Sequence, residues 1–490
     1  MLYLKALEPA ASDADMLVIP VCEDAELHDH PLISSMVARV FKLDEFKGAK
    51  GDAVVLYDPP GAGTRRVLFS GLGPAADIDR EILRAAAGRA VQLALQKKLR
   101  RMAVVVPSQE LPAVAPAALI ESLLEGAGLA NHRFETYKTE KNRRPLNRID
   151  LLVLPDTAQR LGKLPARVWE VCRGTIMARD WVNMPAGDKT PGALARSIAG
   201  RARNAGLQVK TFGAKDLQKE KFGAIVAVCA ASSSTPAMVE LLYAPKGVRK
   251  TVVIVGKGVT FDSGGLNLKT SKTLSMMKAD MAGAAATAAT LLAVARIKPK
   301  LRVVGIMPLV ENMLSGSAMR PGDIIRIHGG KTVEIGNTDA EGRLILADAI
   351  AYAVKRYNPQ FLIDMATLTG ACVMALGKAM AGLFATDEPL AAAILASAGK
   401  THERCWRMPL PEDYKDLLKS ELADINNMPA TRWGGAITAA LFLKEFVGQT
   451  PWAHIDIAGP AYRKNGGDYC GPGATGFGVR LLCDLLGRLE

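Results

Sequence analysis

Unbroken apolar runs of four or five residues recur along the chain, set between longer stretches whose apolar positions return every three or four residues. The short runs suit strands buried on both faces, and the longer stretches suit helices packed on a sheet. In the first third, strands are predicted at 17–21 (Leu17-Val18-Ile19-Pro20-Val21), 53–56, 103–106 and 151–154. Helices are predicted over 78–99 and 116–128, the second opening on a proline and ending on a glycine. A further helix over about 166–182 stops at Asn183-Met184-Pro185, a natural bridge to a second region. Beyond it the alternation resumes. Strands are expected at 209–211, 224–228, 251–255, 302–306, 361–363 and 454–457, and helices at 192–206, 282–296, 343–357 and 438–447. The pattern predicts an α/β protein of two domains, each a sheet flanked by helices, the second the larger.

Length agrees, since 490 residues exceed what one ordinary core accommodates. The 49% hydrophobic and 23% charged fractions are those of a globular protein, with a core drawn mainly from Ala, Val, Leu and Ile because aromatics make up only 5%. The longest weakly polar run, 281–295, is shorter than a bilayer span and bounded by Asp280 and Arg296, so no membrane association is expected. The first residues lack the pattern of a signal peptide. Seven scattered cysteines without a CxxC spacing argue against a disulfide framework or a zinc ribbon and for the cytoplasm.

The net charge of +13 admits nucleic acid as a partner. Its distribution weakens that reading: 23 basic residues face 22 acidic ones in 1–170, and 39 face 27 in 171–490. The excess lies in the half that also carries the acidic motifs described next. The one dense basic run, 138–148, has no aromatic stacking platform and reads as a solvated loop.

Two acidic blocks interrupt the apolar background of the second region. One is Lys257-Gly258-Val259-Thr260-Phe261-Asp262, followed by Lys269 and Asp280; the other is Asn337-Thr338-Asp339-Ala340-Glu341-Gly342-Arg343-Leu344. Carboxylates in such surroundings need cations, because an unpaired buried charge costs several kcal/mol. Taken singly, Asp280, Asp339 and Glu341 each precede a helix and could serve as caps or dipole partners. Together with the small residues around them they suit a metal crevice at the carboxyl ends of strands. The sequence argues against a nucleotide site, since Phe261 replaces the third glycine of GxGxxG and no Walker pattern is present. The six histidines include no HExxH, and His28-Asp29-His30 reads as a solvated loop. Any metal is therefore held by oxygen ligands, with room for an amine among them, a set that accepts Mg²⁺, Mn²⁺ or Zn²⁺.

These blocks resemble the signatures of the leucine (cytosol) aminopeptidase family. Val255-Gly256-Lys257-Gly258-Val259-Thr260-Phe261-Asp262-Ser263-Gly264-Gly265 matches one signature, and the block 337–344 matches the other. Met276-Met277-Lys278-Ala279-Asp280-Met281, Ala366-Thr367-Leu368-Thr369-Gly370-Ala371 and Trp452-Ala453-His454-Ile455-Asp456-Ile457-Ala458-Gly459 extend the likeness over roughly 170–490. Ala279, Ala282 and Pro460-Ala461 depart from the family pattern without touching a proposed ligand.

The resemblance implies a metallo-exopeptidase with two divalent ions per subunit, Mn²⁺ or Zn²⁺, with Mg²⁺ a further candidate. Asp262 and Glu341 would bridge the ions, Lys257 and Asp280 would complete one site, and Asp339 the other. Lys269 and Arg343 would be catalytic, the latter holding a bicarbonate-like base or stabilising the charged intermediate. Met277, Asn337, Thr367, Leu368 and Gly370 would line the substrate cleft. The implied organisation is an N-terminal α/β domain with an assembly or regulatory role (1–165), a linking helix (166–184) and a catalytic domain (185–490). The implied partners are peptide substrates and further copies of the chain, in a homohexamer built as a dimer of trimers. A dinuclear phosphoesterase and a nucleic-acid-binding protein are the alternatives.

Overall fold

Every second residue of Met16–Val21 faces the same side of its sheet, so the strand feeds two apolar layers at once. Met16 and Val18 pack in one cluster, and Leu17 and Ile19 in another. The same logic runs through the whole computed structural model, which describes residues 1–140 and 144–490. Its contacts divide the chain into two units. The first comprises Met1–Cys172 with Asn465–Pro472, and the second comprises Arg173–Lys464 with Gly473–Glu490.

The first unit holds a six-stranded sheet among the described residues. Its strands are β1 (Leu2–Lys5), β2 (Met16–Val21), β3 (Ala53–Tyr57), β4 (Arg66–Gly71), β5 (Arg101–Val105) and β6 (Arg148–Leu152). The order is β1-β6-β5-β2-β4-β3, with every pairing parallel except that of β3 with β4. Helix α1 (Pro31–Val40) covers one face through Ile33, Met36 and Val40. Helices α2 (Arg80–Gln96) and α3 (Pro116–Ala130) cover the other. Asp79 caps α2 by accepting the N–H of Ile82 at 2.7 Å. Of the basic run 138–148, Lys141, Asn142 and Arg143 lie outside the described residues; Arg148 begins β6 and pairs with Asp150 at 2.6 Å. The segment of His28 is a loop as expected, but His28 itself corrects the solvated part of that reading. It is buried, with Nε2 2.7 Å from the carbonyl of Pro20, because the segment folds back over the end of β2.

The second unit is built on a nine-stranded mixed sheet. From one edge its strands are Cys405–Arg407, Ala381–Ala385, Trp452–Asp456, Phe361–Ala366, Thr251–Gly256, Arg302–Asn312, Ala237–Tyr243 and Gln208–Phe212, and Gly258–Asp262 pairs with the far half of Arg302–Asn312. The central strands Trp452–Asp456, Phe361–Ala366, Thr251–Gly256 and Arg302–Asn312 are mutually parallel, so their carboxyl ends open on one rim. Helices Ala282–Ile297 and Glu341–Tyr357 flank the sheet.

One predicted strand is a helix. Residues 224–228 lie in Gly223–Cys229, where Ala224, Ile225, Val228 and Cys229 are buried against the core. Five apolar residues fit either state, and here the N–H of Ile225 is held by the Asp348 carboxylate at 2.9 Å, which fixes a helix start. The stretch Met277–Ile297 is by composition long and apolar enough to cross a membrane, but 89% of its most apolar window is buried inside the unit. It is a core element.

Candidate active site

The parallel rim gathers the residues the sequence singled out. Strand Thr251–Gly256 delivers Lys257, strand Gly258–Asp262 ends in Asp262, Asp280 follows a short 3-10 turn, and Glu341 opens helix Glu341–Tyr357. One carboxylate oxygen from each of Asp262, Asp280 and Glu341 lies within 4.8 Å of the others. Lys257 sits among them: its Nζ donates to Asp280 Oδ1 and to the Thr367 carbonyl, both at 2.9 Å, and lies 3.0 Å from Glu341 Oε1. Gly342 makes room for it, since a Cβ there would stand 2.5 Å from Lys257 Cε and 2.7 Å from Nζ. Lys269 Nζ is 2.9 Å from Asp262 Oδ2 and pairs as well with Asp339.

Four carboxylates (Asp262, Asp280, Asp339, Glu341) thus share two ammonium groups, leaving two negative charges in excess. Burial, joined by repulsion from Asp262, raises the carboxyls of both Asp280 and Glu341 above their ordinary range. Burial alone would lower the Lys257 ammonium, but Asp280, Glu341 and Asp262 outweigh it and hold it above the usual lysine value. Glu341 Oε2 is buried and has no hydrogen-bond partner. Hard oxygen donors, surplus negative charge and an orphaned carboxylate oxygen are what a divalent cation satisfies, so this donor set fits metal ions. Among the described residues no other group of three or more acidic, histidine or cysteine side chains has metal-holding spacing.

Asp262 is held by the N–H of Gly264 at 2.9 Å and by Asn312 Nδ2 at 2.8 Å; that same amide donates to the Thr338 carbonyl at 3.1 Å. Asn312 therefore ties the two acidic blocks together. Arg343 is buried, its Nη1 donating to the Asn427 carbonyl at 2.8 Å while Nε lacks a partner. Burial pushes its guanidinium down to about 10, which leaves it charged at neutral pH.

The predicted cleft residues are placed unequally. Thr367 reaches the cluster directly, its hydroxyl donating to Asp280 Oδ1 at 2.7 Å. Asn337 caps the turn before Glu341, accepting the N–H of Asp339 at 2.7 Å. Leu368 is half-buried and tied to Asp456 through its N–H at 3.1 Å. Met277 is half-buried three residues before Asp280, and Gly370 is exposed at the start of helix Gly370–Leu376; among the described residues no hydrogen bond joins either to the carboxylates. Ala461 is buried, with its carbonyl accepting from Thr475.

Sequence reasoning missed the supports. Asn312 and Asp456 end central strands, and a search for polar residues at the ends of apolar runs would have found both. Lys189 is buried with Nζ 2.9, 2.7 and 2.7 Å from the carbonyl oxygens of Trp181, Val182 and Lys278. It ties the end of helix Leu164–Asn183 to the turn before Asp280. No pattern flags a lone lysine of this kind.

Comparison with known proteins is consistent along the chain. The profile of the cytosol aminopeptidase family, catalytic domain, matches residues 176–483, and that of the family's N-terminal domain matches 18–141. A probable cytosol aminopeptidase of Chlorobium luteolum is 40% identical over 499 residues, covering 97% of each chain. Among solved structures, a mutant of tomato leucine aminopeptidase superposes with a TM-score of 0.89 at 32% identity, over 99% of this chain and 96% of that one. The bottromycin maturation enzyme BotP in complex with Mn gives 0.87 at 36% identity, over 97% and 99%.

Proposed function

The chain belongs to the cytosol aminopeptidase family and is a metal-dependent aminopeptidase, and from that premise we propose that it removes N-terminal, preferably apolar and leucine-like, residues from peptides by means of two divalent metal ions. The observation that carries the two-metal reading is the cluster itself: four carboxylates against two ammonium groups, with Glu341 Oε2 left without a partner. In this reading Lys257, Asp262, Asp280 and Glu341 would hold one ion, and Asp262, Asp339 and Glu341 would hold the other. The BotP complex with Mn supports Mn²⁺, and the oxygen-rich donor set equally suits Zn²⁺ or Mg²⁺. Such a pair supplies Lewis acidity, lowering the pKa of an attacking water and giving the substrate's free α-amine an anchor.

The chain's own residues do the rest. Lys269 presents an ammonium, held by Asp262 and Asp339, where negative charge develops on the scissile carbonyl oxygen. Arg343 offers a buried guanidinium whose Nε is free for a bicarbonate-like anion that accepts the water's proton, or for the charged intermediate. Thr367, Leu368 and Gly370 form one wall of the cleft and Met277 and Asn337 others, so a terminal side chain meets a partly apolar surface. The same premise extends to a cytoplasmic homohexamer, a dimer of trimers. Its domains would be those assigned from the sequence, 1–165 for assembly or regulation, 166–184 as link and 185–490 for catalysis. The decisive experiment is release of leucine from leucinamide by metal-stripped protein, before and after addition of Mn²⁺ or Zn²⁺, beside Asp262→Ala. Activity restored by metal in the parent and absent from the variant is the expected result. Hydrolysis by the stripped protein at the metal-loaded rate overturns the reading.

A further inference from the structure

The first unit contains a cavity of about 320 Å³ that the peptidase reaction does not use. It lies beyond the carboxyl end of β2, which occupies a particular position in its sheet. From β2 the chain runs through α1 and β3 to β4 on one side, then returns through α2 to β5 on the other side of β2. Helix α1 packs on one face and α2 with α3 on the opposite face, so the connections part at the ends of β2 and β5. Open α/β sheets bind ligands beyond the carboxyl ends of their strands, and this cavity lies on the α1 side of that divergence, lined by the end of β2, the loop that follows and α1. The two loops are laced together, the N–H groups of Ser108 and Gln109 donating to the Leu27 carbonyl at 2.9 and 3.1 Å.

The lining sets the class of ligand. Val21, Leu27, Ile33, Val37 and Phe41 give an apolar wall. Glu23, Asp24 and Glu26 stand exposed around it; one oxygen of Asp24 accepts the N–H of Ala75 at 2.8 Å, and among the described residues none of the three has an ion-pair partner. Like-signed carboxylates exclude phosphates and nucleotides, the usual occupants of such crevices. A bare metal ion fits no better, since these side chains do not converge to metal-holding spacing. Cys22 offers no alternative chemistry, because burial, reinforced by Asp24 and Glu23, pushes its thiol up to about 12. The volume falls at the small end of ligand pockets, roughly 300–1,000 Å³.

We propose that this crevice is a binding site for a small organic cation, a guanidinium or ammonium group on an aliphatic stem, with the stem against the wall of β2 and α1 and the charge among Glu23, Asp24 and Glu26. The test is calorimetric titration of the full metal-loaded chain with n-butylguanidinium and with its neutral isostere n-butylurea. The cation binds and the urea binds at least about tenfold more weakly, the worth of one charge-assisted hydrogen bond. The triple variant Glu23→Gln, Asp24→Asn, Glu26→Gln weakens the cation by the same factor or more. Ala38→Trp, at an exposed position on the cavity rim, blocks it without disturbing the melting temperature. Asp262→Ala leaves it unchanged, which separates this site from the catalytic cluster. Equal affinity for the urea overturns the proposal, as does cation binding that survives both the triple variant and Ala38→Trp.

Discussion

Asp456 and Thr369 are joined twice, the Oδ2 of Asp456 accepting the backbone N–H of Thr369 at 3.1 Å and its hydroxyl at 2.6 Å. Asp456 Oδ1 also accepts the N–H of Leu368 and of Ala458, each at 3.1 Å. A single buried carboxylate thereby fixes the loop after Phe361–Ala366, and that loop carries Thr367 against Asp280 and Lys257. Asp456→Asn replaces an acceptor with a donor facing two donors. Each hydrogen bond to a charged group contributes about 1.5–3 kcal/mol, so kcat/KM for leucyl substrates is expected to fall about tenfold or more. The fall should lie mainly in KM and in the preference for leucyl over glycyl substrates, with metal content retained. Loss of metal in proportion to activity would instead assign Asp456 to the ligand framework.

Lys269 offers a test that separates catalysis from metal retention. Its ammonium touches Asp262 and Asp339 without belonging to the Asp262–Asp280–Glu341 cluster. Lys269→Ala is expected to lower kcat by about 10²–10³-fold, the range for loss of one electrostatic stabiliser. Metal content, measured by atomic emission, should change far less. An equal loss of metal and turnover refutes the role.

Gly342 is required by the neighbour it admits. Gly342→Ala drives a methyl into Lys257 Cε and Nζ, and overpacking of this kind costs about 1–3 kcal/mol. Since the atom displaced belongs to Lys257, weaker metal binding should accompany the lower melting temperature. Retained metal affinity with lowered stability would remove Lys257 from the ligand set.

How much of this was legible depends on range along the chain. Asp262, Asp280, Asp339 and Glu341 announce themselves because charge stands out against alanine and valine, and Gly256-Lys257-Gly258 follows a plain apolar strand. The partners that orient them do not, because they arrive from far away. Asn427 meets Arg343 across 84 positions, and Asp456 meets Leu368 across 88. Residues 224–228 failed for a different reason. Five apolar residues carry no period, and Asp348, which starts that helix, lies 123 positions beyond Ile225. His28 misled because its ring turns back on the carbonyl of Pro20 in β2, a contact its immediate neighbours do not announce.

Lys189 gives a pH-dependent prediction with a definite sign. Burial, aided by Lys278, pushes its amine down to about 6, whereas the unfolded side chain titrates near 10.4. Between about 6 and 10.4 the unfolded chain therefore binds a proton that the folded chain releases, and this group makes stability rise with pH across that window and level off below it. Lys189→Met lacks the dependence. In chelator, the melting-temperature gap between parent and variant should widen from pH 6 to pH 9. A gap that stays constant means that the carbonyls of Trp181, Val182 and Lys278 keep the ammonium charged in the fold.

Glu341 tests whether the cluster is built for cations or for itself. Its carboxylate is wholly buried, crowded by Asp262 and Asp280, and half without a partner. In the absence of metal, Glu341→Gln removes that repulsion and sacrifices one contact with Lys257, so metal-free stability should hold or rise. With metal the order reverses. The parent gains RT ln(1 + [L]/Kd), about 2.7 kcal/mol at a hundredfold excess over Kd, and the variant gains little. Thermal melts of both proteins with and without Mn²⁺ read the sign directly. A metal-free variant clearly less stable than its parent would mean that Lys257 alone balances Glu341, and the case for a second cation at this carboxylate would fall.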